Sequence, residues 1–398
     1  FDQVLSSYWG SQIQQTLPNF RAVIQDPQFF PNDFTNLPDL SNTPSGPWVL
    51  FNPDNPYLMQ WSLNLQRELF PSGVLLIGYS GSWGVHLSRF VNGNTALCVR
   101  RDDGSCSFNG EVRNNQLGDL RSTVWDSSSI YHSLRTTFNK RYGNSHQFQV
   151  SYSFSRLIDN GGGTGFFDRG SSGDALFSTF IDDVNFDRGP SGFNVSHTFT
   201  ANYTVDLPGE NLAGMAGKIL GGWQIGGILS AASGEQMTIL ITYDRAGMAA
   251  GTLRVQRPDA VPGVDPYAGF GNTPTGYLNP FAFATPKAGY LGNLGRGTIV
   301  GPERFNADFS LIKNIQWGDD ASRVIQFRAE FFNIFNNVNF RNPSTRVNVS
   351  SGGAFRLSTA ENPRGNCRFP GTDLRYCGIR SRGFGRTTRT VTTSRQIQ

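Results

Sequence analysis

The chain has 398 residues, of which 46 are glycine, 21 are proline and 13% are aromatic, while only 16% are charged. This composition favours many strands joined by turns and argues against a helical protein. The 34 basic and 30 acidic side chains are scattered and give a net charge of +4, without the dense basic block that nucleic-acid binding needs. The most basic stretch, 375–395, is expected to be a solvated loop, with contact to acidic lipid headgroups or lipopolysaccharide as the alternative.

The first predicted element is a long strand over residues 57–69. Apolar side chains occupy its odd positions and polar side chains its even ones. The apolar set is Tyr57, Met59, Trp61, Leu63 and Leu65, and the polar set is Gln60, Ser62, Asn64, Gln66 and Glu68. A period of two indicates a strand with one apolar and one polar face. No run of about 18 apolar residues occurs, so the sequence does not predict a transmembrane helix.

The same alternation returns further along the chain, in residues 147–155, 193–205, 305–311 and 325–335. Strands of soluble proteins average about five or six residues, whereas a tilted membrane strand needs about nine to eleven. Several of these segments approach or exceed that length. We therefore expect their aromatic and aliphatic side chains to face lipid and their polar neighbours to face a watery lumen.

The predicted connections alternate between short and long, which is typical of outer-membrane barrels. The short ones are 70–73, 142–145, 208–217 and 318–322, and the long ones are 86–129, 157–192, 244–303 and 338–389. This order requires 218–243 to be one strand, and its apolar residues keep the odd phase across Gly234.

The prediction is an all-β fold, an antiparallel transmembrane β-barrel with long extracellular loops, of which the chain supplies about nine C-terminal strands. Residues 1–56 form an extracellular loop leading into the barrel, and 57–398 form its C-terminal part. A sheet of nine strands has an open edge, and the backbone N–H and C=O groups of that edge find no hydrogen-bond partner in lipid. We therefore expect earlier strands to lie outside this chain.

The four cysteines form two local pairs in polar, glycine-rich segments, Cys98 with Cys106 and Cys367 with Cys377. Such pairs in loops favour disulfides made in an oxidising compartment. Zinc is the competing interpretation, but the spacing is not CxxC and histidine is absent nearby.

The sequence offers no constellation that predicts catalysis, a cofactor or a metal site. The four histidines are isolated, and GGGTG at 161–165 lacks the Lys-Ser/Thr of a phosphate-binding loop. Aspartates of 159–187 are expected to form a solvated acidic loop, with calcium binding as the alternative. We expect no enzyme activity. Polar residues of one late strand, Gln326, Arg328 and Glu330, are candidates to line the lumen.

A resemblance adds to this interpretation. The segments NPYLMQWSLNLQREL (55–69), LGGWQIGGILSAASGEQMTI (220–239), GNLGRGTIVGPERFNADFSLIKN (292–314) and FRAEFFNIFNNVNFRNP (327–343) occur in order along the chain. In these segments the chain resembles the C-terminal barrel of Oar-like TonB-dependent receptors. The resemblance implies a cell outer membrane location, a plug that engages the TonB complex, and active uptake of a large or scarce nutrient such as a glycan, a peptide or a chelated metal.

Two other classes of protein remain open. A secreted β-sandwich, acting as a carbohydrate-binding or adhesin module, would also alternate, but its apolar faces would pack against a second layer. An outer-membrane enzyme would need a catalytic set at its rim.

Overall fold

The structure is a computed structural model. It describes residues 46–49, 54–100, 102, 106–108, 110–115, 118–143, 146–161, 178–209, 214–241, 243–248, 256–267, 277–316, 324–347 and 396–397. The second cysteine pair, Cys367 and Cys377, and the basic stretch 375–395 lie outside these residues.

The dominant element is one sheet whose main path runs through nine strands in chain order, each antiparallel to its neighbours. They are β2 (Tyr57–Phe70), β3 (Gly73–Asn92), β6 (Leu120–Tyr142), β7 (His146–Asp159), β9 (His197–Asp206), β10 (Trp223–Ala232), β16 (Arg304–Gln316), β17 (Val324–Phe332) and β19 (Gln396–Ile397). Two short strands join its rim: β1 (Gly46–Val49) pairs parallel with β6, and β8 (Gly189–Pro190) pairs with β7. The prediction of an antiparallel partial barrel is confirmed.

The remaining elements are short and lie in the connections. They comprise β4 (Val99–Arg100), β5 (Cys106–Ser107), β11 (Gln236–Met237), β12 (Leu240–Ile241), β13 (Asp259–Ala260), β14 (Phe283–Ala284), β15 (Ile299–Val300), β18 (Arg346–Val347), the helix α1 (Gly214–Leu220) and two 3-10 turns at Val184–Asp187 and Pro280–Ala282.

The burial pattern of the sheet is the reverse of that in a soluble protein. Along β7, Phe148, Val150, Tyr152 and Phe154 are exposed, whereas the serines between them are partly buried. In β2, Leu63 and Leu65 keep 73% and 67% of their surface exposed. A β-sandwich would cover these side chains with a second layer, so the pattern fits strands that meet lipid on this face.

The strands are also staggered as a barrel requires. One row of directly opposed residues runs across seven strands, from Leu65 through Ile77 to Phe305. Ile77 lies four residues after the start of β3, while Phe305 lies eleven residues before the end of β16. The distance between this row and the short turns therefore increases from strand to strand across the sheet. This stagger is the shear that accompanies strand tilt in a barrel.

One predicted element is wrong: residues 218–243 are not one strand. Residues 218–220 end α1, and β10 runs from Trp223 to Ala232. The chain then leaves the sheet at Gly234, where an added Cβ would come within 1.8 Å of the carbonyl oxygen of Gly301. Only glycine fits this close approach, and the next residues pair elsewhere as β11 and β12. The order of short and long connections is preserved, because 233–303 becomes one outer loop.

α1 ends on the lipid-facing side of the inner rim. Lys313 donates through Nζ to the carbonyls of Lys218, Ile219 and Gly221, and its ammonium lies 5.3 Å from the Trp223 ring centroid. These carbonyls have no partner within the helix, so the ammonium caps its C-terminus. The helix itself exposes Met215, Ile219 and Leu220.

A charge on the lipid-facing side should be far more costly than the same charge on the opposite face. Leu65 lies five residues before the end of β2, about halfway up an apolar band about 25 Å tall. Leu65→Arg is expected to destabilise the natural full-length protein by about 2–4 kcal/mol, and Gln66→Arg by about 0.5 kcal/mol or less. Chemical unfolding in phosphocholine vesicles measures both. Equal losses at the two positions would contradict the assignment of faces.

Candidate functional site

The face of the sheet opposite the lipid-facing side chains is polar, and we call it the lumen face. It contains the serine, threonine, asparagine and glutamine rows that the pairing register brings side by side, for example Ser62, Ser80, Ser133 and Ser155. Thr137 and Ser151 join hydroxyls at 3.1 Å across two strands, and Asn202 donates to Gln149. This surface is suited to water and polar solutes.

The three predicted lumen residues lie together on this face, at its inner end. Gln326 donates to Asn314 at 2.8 Å, and Arg328 lies between Gln326 and Glu330, 3.4 Å from an oxygen of each. The register sets Arg328 opposite Ile312 and Glu330 opposite Ser310. Their polar contacts form a ladder along β17. Whether they touch a plug or a substrate stays a prediction.

A pocket of about 330 Å³ opens on the lumen face nearer its outer end. Residues from β6, β7, the turn before β9 and the start of β9 line it: Tyr131, Ser133, Arg135, Ser153, Ser155, Leu157, Phe193, Asn194, Val195 and Thr198. The turn is held to β7 because Asn194 accepts from the Leu157 amide at 2.7 Å and Ser155 Oγ donates to the Val195 carbonyl at 2.8 Å. The pocket is therefore built by fixed elements.

Arg135 is the charged group of this pocket. It is exposed, it lies opposite Ser153, and it has no hydrogen-bond or ion-pair partner among the residues that the structure describes. The pocket wall contains no carboxylate. A guanidinium surrounded by hydroxyls and two aromatic rings can bind an anionic group on a ligand that also offers an apolar face.

The alternation along the strands does not reveal this pocket, although it contains part of the signal. Tyr131, Ser133 and Arg135 alternate with the apolar positions of β6 and therefore share the lumen phase. The alternation of 193–205 predicts that Phe193 and Val195 face lipid, but both lie in the turn before β9 and line the lumen pocket instead. The regular alternation of this segment therefore begins only with β9, at His197.

Above the sheet, the outer connections pack into a layer with its own hydrophobic cores. The larger core contains Met237, Ile239, Ile241, Leu278, Ala282, Phe283, Leu294 and Ile299, and the smaller one contains Ala96, Phe108, Ala246 and Met248. Cys98 and Cys106 form a disulfide beside the smaller core. These loops are therefore folded parts of the molecule.

Three buried arginines connect the outer connections to each other and to the outer ends of β3, β6 and β7. Arg89 pairs with Asp126 and donates to the carbonyls of Phe180 and Ile181. Arg257 pairs with Asp187, and Arg296 pairs with Asp159 and also donates to the Asp187 carbonyl. A buried guanidinium needs such partners to offset its loss of hydration.

The aspartates considered for calcium already have other partners. Asp159 and Asp187 pair with arginines, Asp182 pairs with Arg113, and Asp183 accepts from the Asn185 amide at the start of a 3-10 turn. Asp168 and Asp174 lie outside the described residues. Within the described ranges, no group of three or more His, Cys, Asp or Glu side chains is gathered around a possible metal position.

A second, larger cleft of about 760 Å³ lies at the outer rim, between the outer layer and the lipid-facing side of β16. Its lining includes Tyr277, Glu303, Phe305, Asn337 and Phe340. Tyr277 donates to the Val300 carbonyl at 3.1 Å, and Tyr267 bonds to both polar groups of Val300. Burial raises the pKa of both phenols, so they stay neutral and keep donating.

Comparison with known proteins now defines the class. Residues 3–398 match the family described as outer membrane beta barrel domain, so the chain belongs to that family and resides in the outer membrane, in contact with its lipid. The secreted β-sandwich is therefore wrong. In the described part of the chain, no helix has the length and hydropathy to span a bilayer.

Among solved structures, the chain is similar to the outer membrane transporter YddB from Escherichia coli, with 9% identity and a TM-score of 0.38. The match covers 79% of this chain and 32% of YddB, so this chain corresponds to about a third of that protein. No curated protein sequence matches the chain.

Breaking the buried Asp187–Arg257 pair should loosen the outer layer. Asp187 is 5% exposed and also accepts from Thr179 Oγ1 and its amide. Asp187→Asn should destabilise this layer by about 3–5 kcal/mol, because it leaves Arg257 buried without its counter-ion. Hydrogen exchange over residues 178–191 and 256–258 measures the loss.

Asp182→Asn is the matched control, because Asp182 is 68% exposed in its pair with Arg113. Its expected cost is about 0–1 kcal/mol. If the two variants exchange alike, the buried pair does not hold the loops together.

Proposed function

We propose that the chain is part of a TonB-dependent transporter that takes up a large or scarce nutrient across the outer membrane. The observation that carries this proposal is the lumen pocket, in which Arg135, serine hydroxyls, Tyr131 and Phe193 surround about 330 Å³ of space. A pocket on the lumen face lies on the path that a solute would take. The resemblance to Oar-like receptors supports the TonB-dependent route.

The folded outer layer supports the same proposal. A porin needs an open channel, whereas a transporter of scarce solutes needs a surface that captures its ligand before passage. Loops ordered by two hydrophobic cores and three buried arginines provide such a surface. Binding to ordered groups is less costly than binding to loops that must first be fixed.

We further propose that the protein is not an enzyme and needs no cofactor of its own. Its work is then binding and passage, with energy supplied through the TonB complex to a plug domain. The 398-residue sequence contains none of the motifs that predict nucleophilic or metal-assisted chemistry.

Uptake tests the proposal directly. A strain that lacks the gene is grown on single nutrients, each a glycan, a peptide or a chelated metal, and the wild-type gene is returned on a plasmid. The proposal predicts at least one nutrient whose uptake returns with the gene and stops when a protonophore collapses the inner-membrane proton gradient. Uptake that survives the protonophore would point to a passive channel.

Arg135→Gln should reduce uptake of that nutrient about tenfold, because a charge-assisted hydrogen bond contributes about 1.5–3 kcal/mol. Arg141→Gln is the control, since Arg141 also lies on the lumen face, opposite Gln147, but outside the pocket. Initial rates with labelled nutrient, at equal surface amounts of protein, give the comparison. Equal uptake by the two variants would remove Arg135 from the binding surface.

A further inference from the structure

The charges of the sheet are divided unequally between its faces. In the described part of the strands that crosses the membrane, the lipid-facing side has basic but no acidic residues, and all acidic residues fall on the lumen face. The basic residues are Arg67, Lys140, Arg156 and Lys313, and the acidic ones are Glu68, Asp159, Asp206, Asp308 and Glu330. Asp126 lies further out on β6 and pairs with Arg89 in the outer layer. This face therefore suits an anionic lipid environment.

Three of the four basic residues lie at the inner rim. Lys140 donates to the Pro71 carbonyl at 2.5 Å, and its ammonium lies 4.6 Å and 4.4 Å from the ring centroids of Phe70 and Tyr142. Lys313 caps α1, and Arg67 lies three residues before the end of β2. The two lysines are thus already satisfied by backbone carbonyls.

Arg156 differs from these three in both height and surroundings. It lies ten residues after the start of β7, which corresponds to about 25 Å above the short turns for a strand tilted by about 40°. That is the outer edge of the apolar band. Arg156 is exposed and has no hydrogen-bond or ion-pair partner among the described residues.

A histidine with a fixed ring faces Arg156. His132 lies directly opposite Arg156 in the register, so their Cβ atoms are about 5 Å apart. The Nδ1 atom of His132 is 2.7 Å from the hydroxyl of Tyr79, and the two rings stack at 17°. Trp61 covers a second side of the imidazole, with 6.3 Å between ring centroids. When Tyr79 donates to Nδ1, Nε2 carries the ring proton and is free to donate outward.

We propose that Arg156 and His132 bind a phosphate of lipid A from the outer leaflet. The guanidinium offers two parallel N–H donors that match phosphate oxygens. The imidazole offers a third donor whose direction is fixed by Tyr79. Lipid A is the lipid of the outer leaflet, its phosphates lie at the headgroup level, and its acyl chains continue along the apolar side chains below. The site does not depend on the proposed transport function.

The experiment measures lipid binding to the natural full-length protein by native mass spectrometry in detergent. The probes are bis-phosphorylated lipid A, the same lipid A with its phosphates removed, and phosphatidylglycerol. Wild-type protein should bind phosphorylated lipid A about tenfold more tightly than either other lipid. Arg156→Gln and His132→Phe should each lose most of that preference, because the first removes the positive charge with its two parallel donors and the second removes the imidazole N–H.

Arg67→Gln is the matched control, because it removes an exposed arginine from the same face at the inner rim. It should bind lipid A as the wild type does. Heat-modifiable migration on gels confirms that each variant is folded. The proposal is overturned if dephosphorylated lipid A or phosphatidylglycerol binds equally well, if Arg156→Gln retains the preference, or if Arg67→Gln loses as much.

Discussion

Hydrocarbon offers no hydrogen-bond partner to a backbone amide, and this constraint governs the whole structure. Each strand that crosses the membrane must pair with a neighbour on both sides, so the chain forms one continuous antiparallel sheet. The same constraint demands that lipid-facing side chains be apolar at alternate positions. The period of two in the sequence, the exposure of Leu63 and Leu65, and the polar lumen face all follow from it.

The outer layer obeys a different rule, because water surrounds it. Its chain has few regular elements, so many backbone groups must find partners outside a sheet. Arg89, Arg257 and Arg296 supply several of these partners by donating to loop carbonyls as well as to carboxylates. Buried ion pairs contribute little net stability, but they accept only one arrangement of their neighbours. Their contribution is to fix how the loops lie on each other.

The strands and their faces could be predicted because the signal is local. Tyr57–Phe70 and His146–Asp159 match their predicted segments closely, because residues alternate between apolar and polar according to the face of the sheet on which they lie. The error at 218–243 has a non-local cause. The odd phase persists through Gly234, yet the chain leaves the sheet there and packs against Gly301, which is far along the sequence. An alternating pattern shows which residues of a segment could share one face of a sheet. It does not show where the strand ends.

The functional surfaces were less predictable for the same reason. Gln326, Arg328 and Glu330 lie within one strand, so their shared face follows from periodicity alone, while their contact with a solute stays a prediction. The pocket around Arg135 combines β6, β7, a turn that follows a long loop and the start of β9, so no single segment of the sequence contains it. The partners of the buried arginines lie up to 137 residues away in the chain. Their pairing depends on the packed loops, which periodicity does not describe.

The capping of α1 by Lys313 has a consequence for how deeply the barrel is immersed. The ammonium is tied to backbone carbonyls at the inner rim, and Met215, Ile219 and Leu220 extend beside it. Sliding the barrel outward would draw that charge into the acyl chains, while sliding it inward would strip the three apolar side chains of lipid. The connection that contains α1 therefore fixes the depth of the barrel in the bilayer. It does so independently of the outer loops.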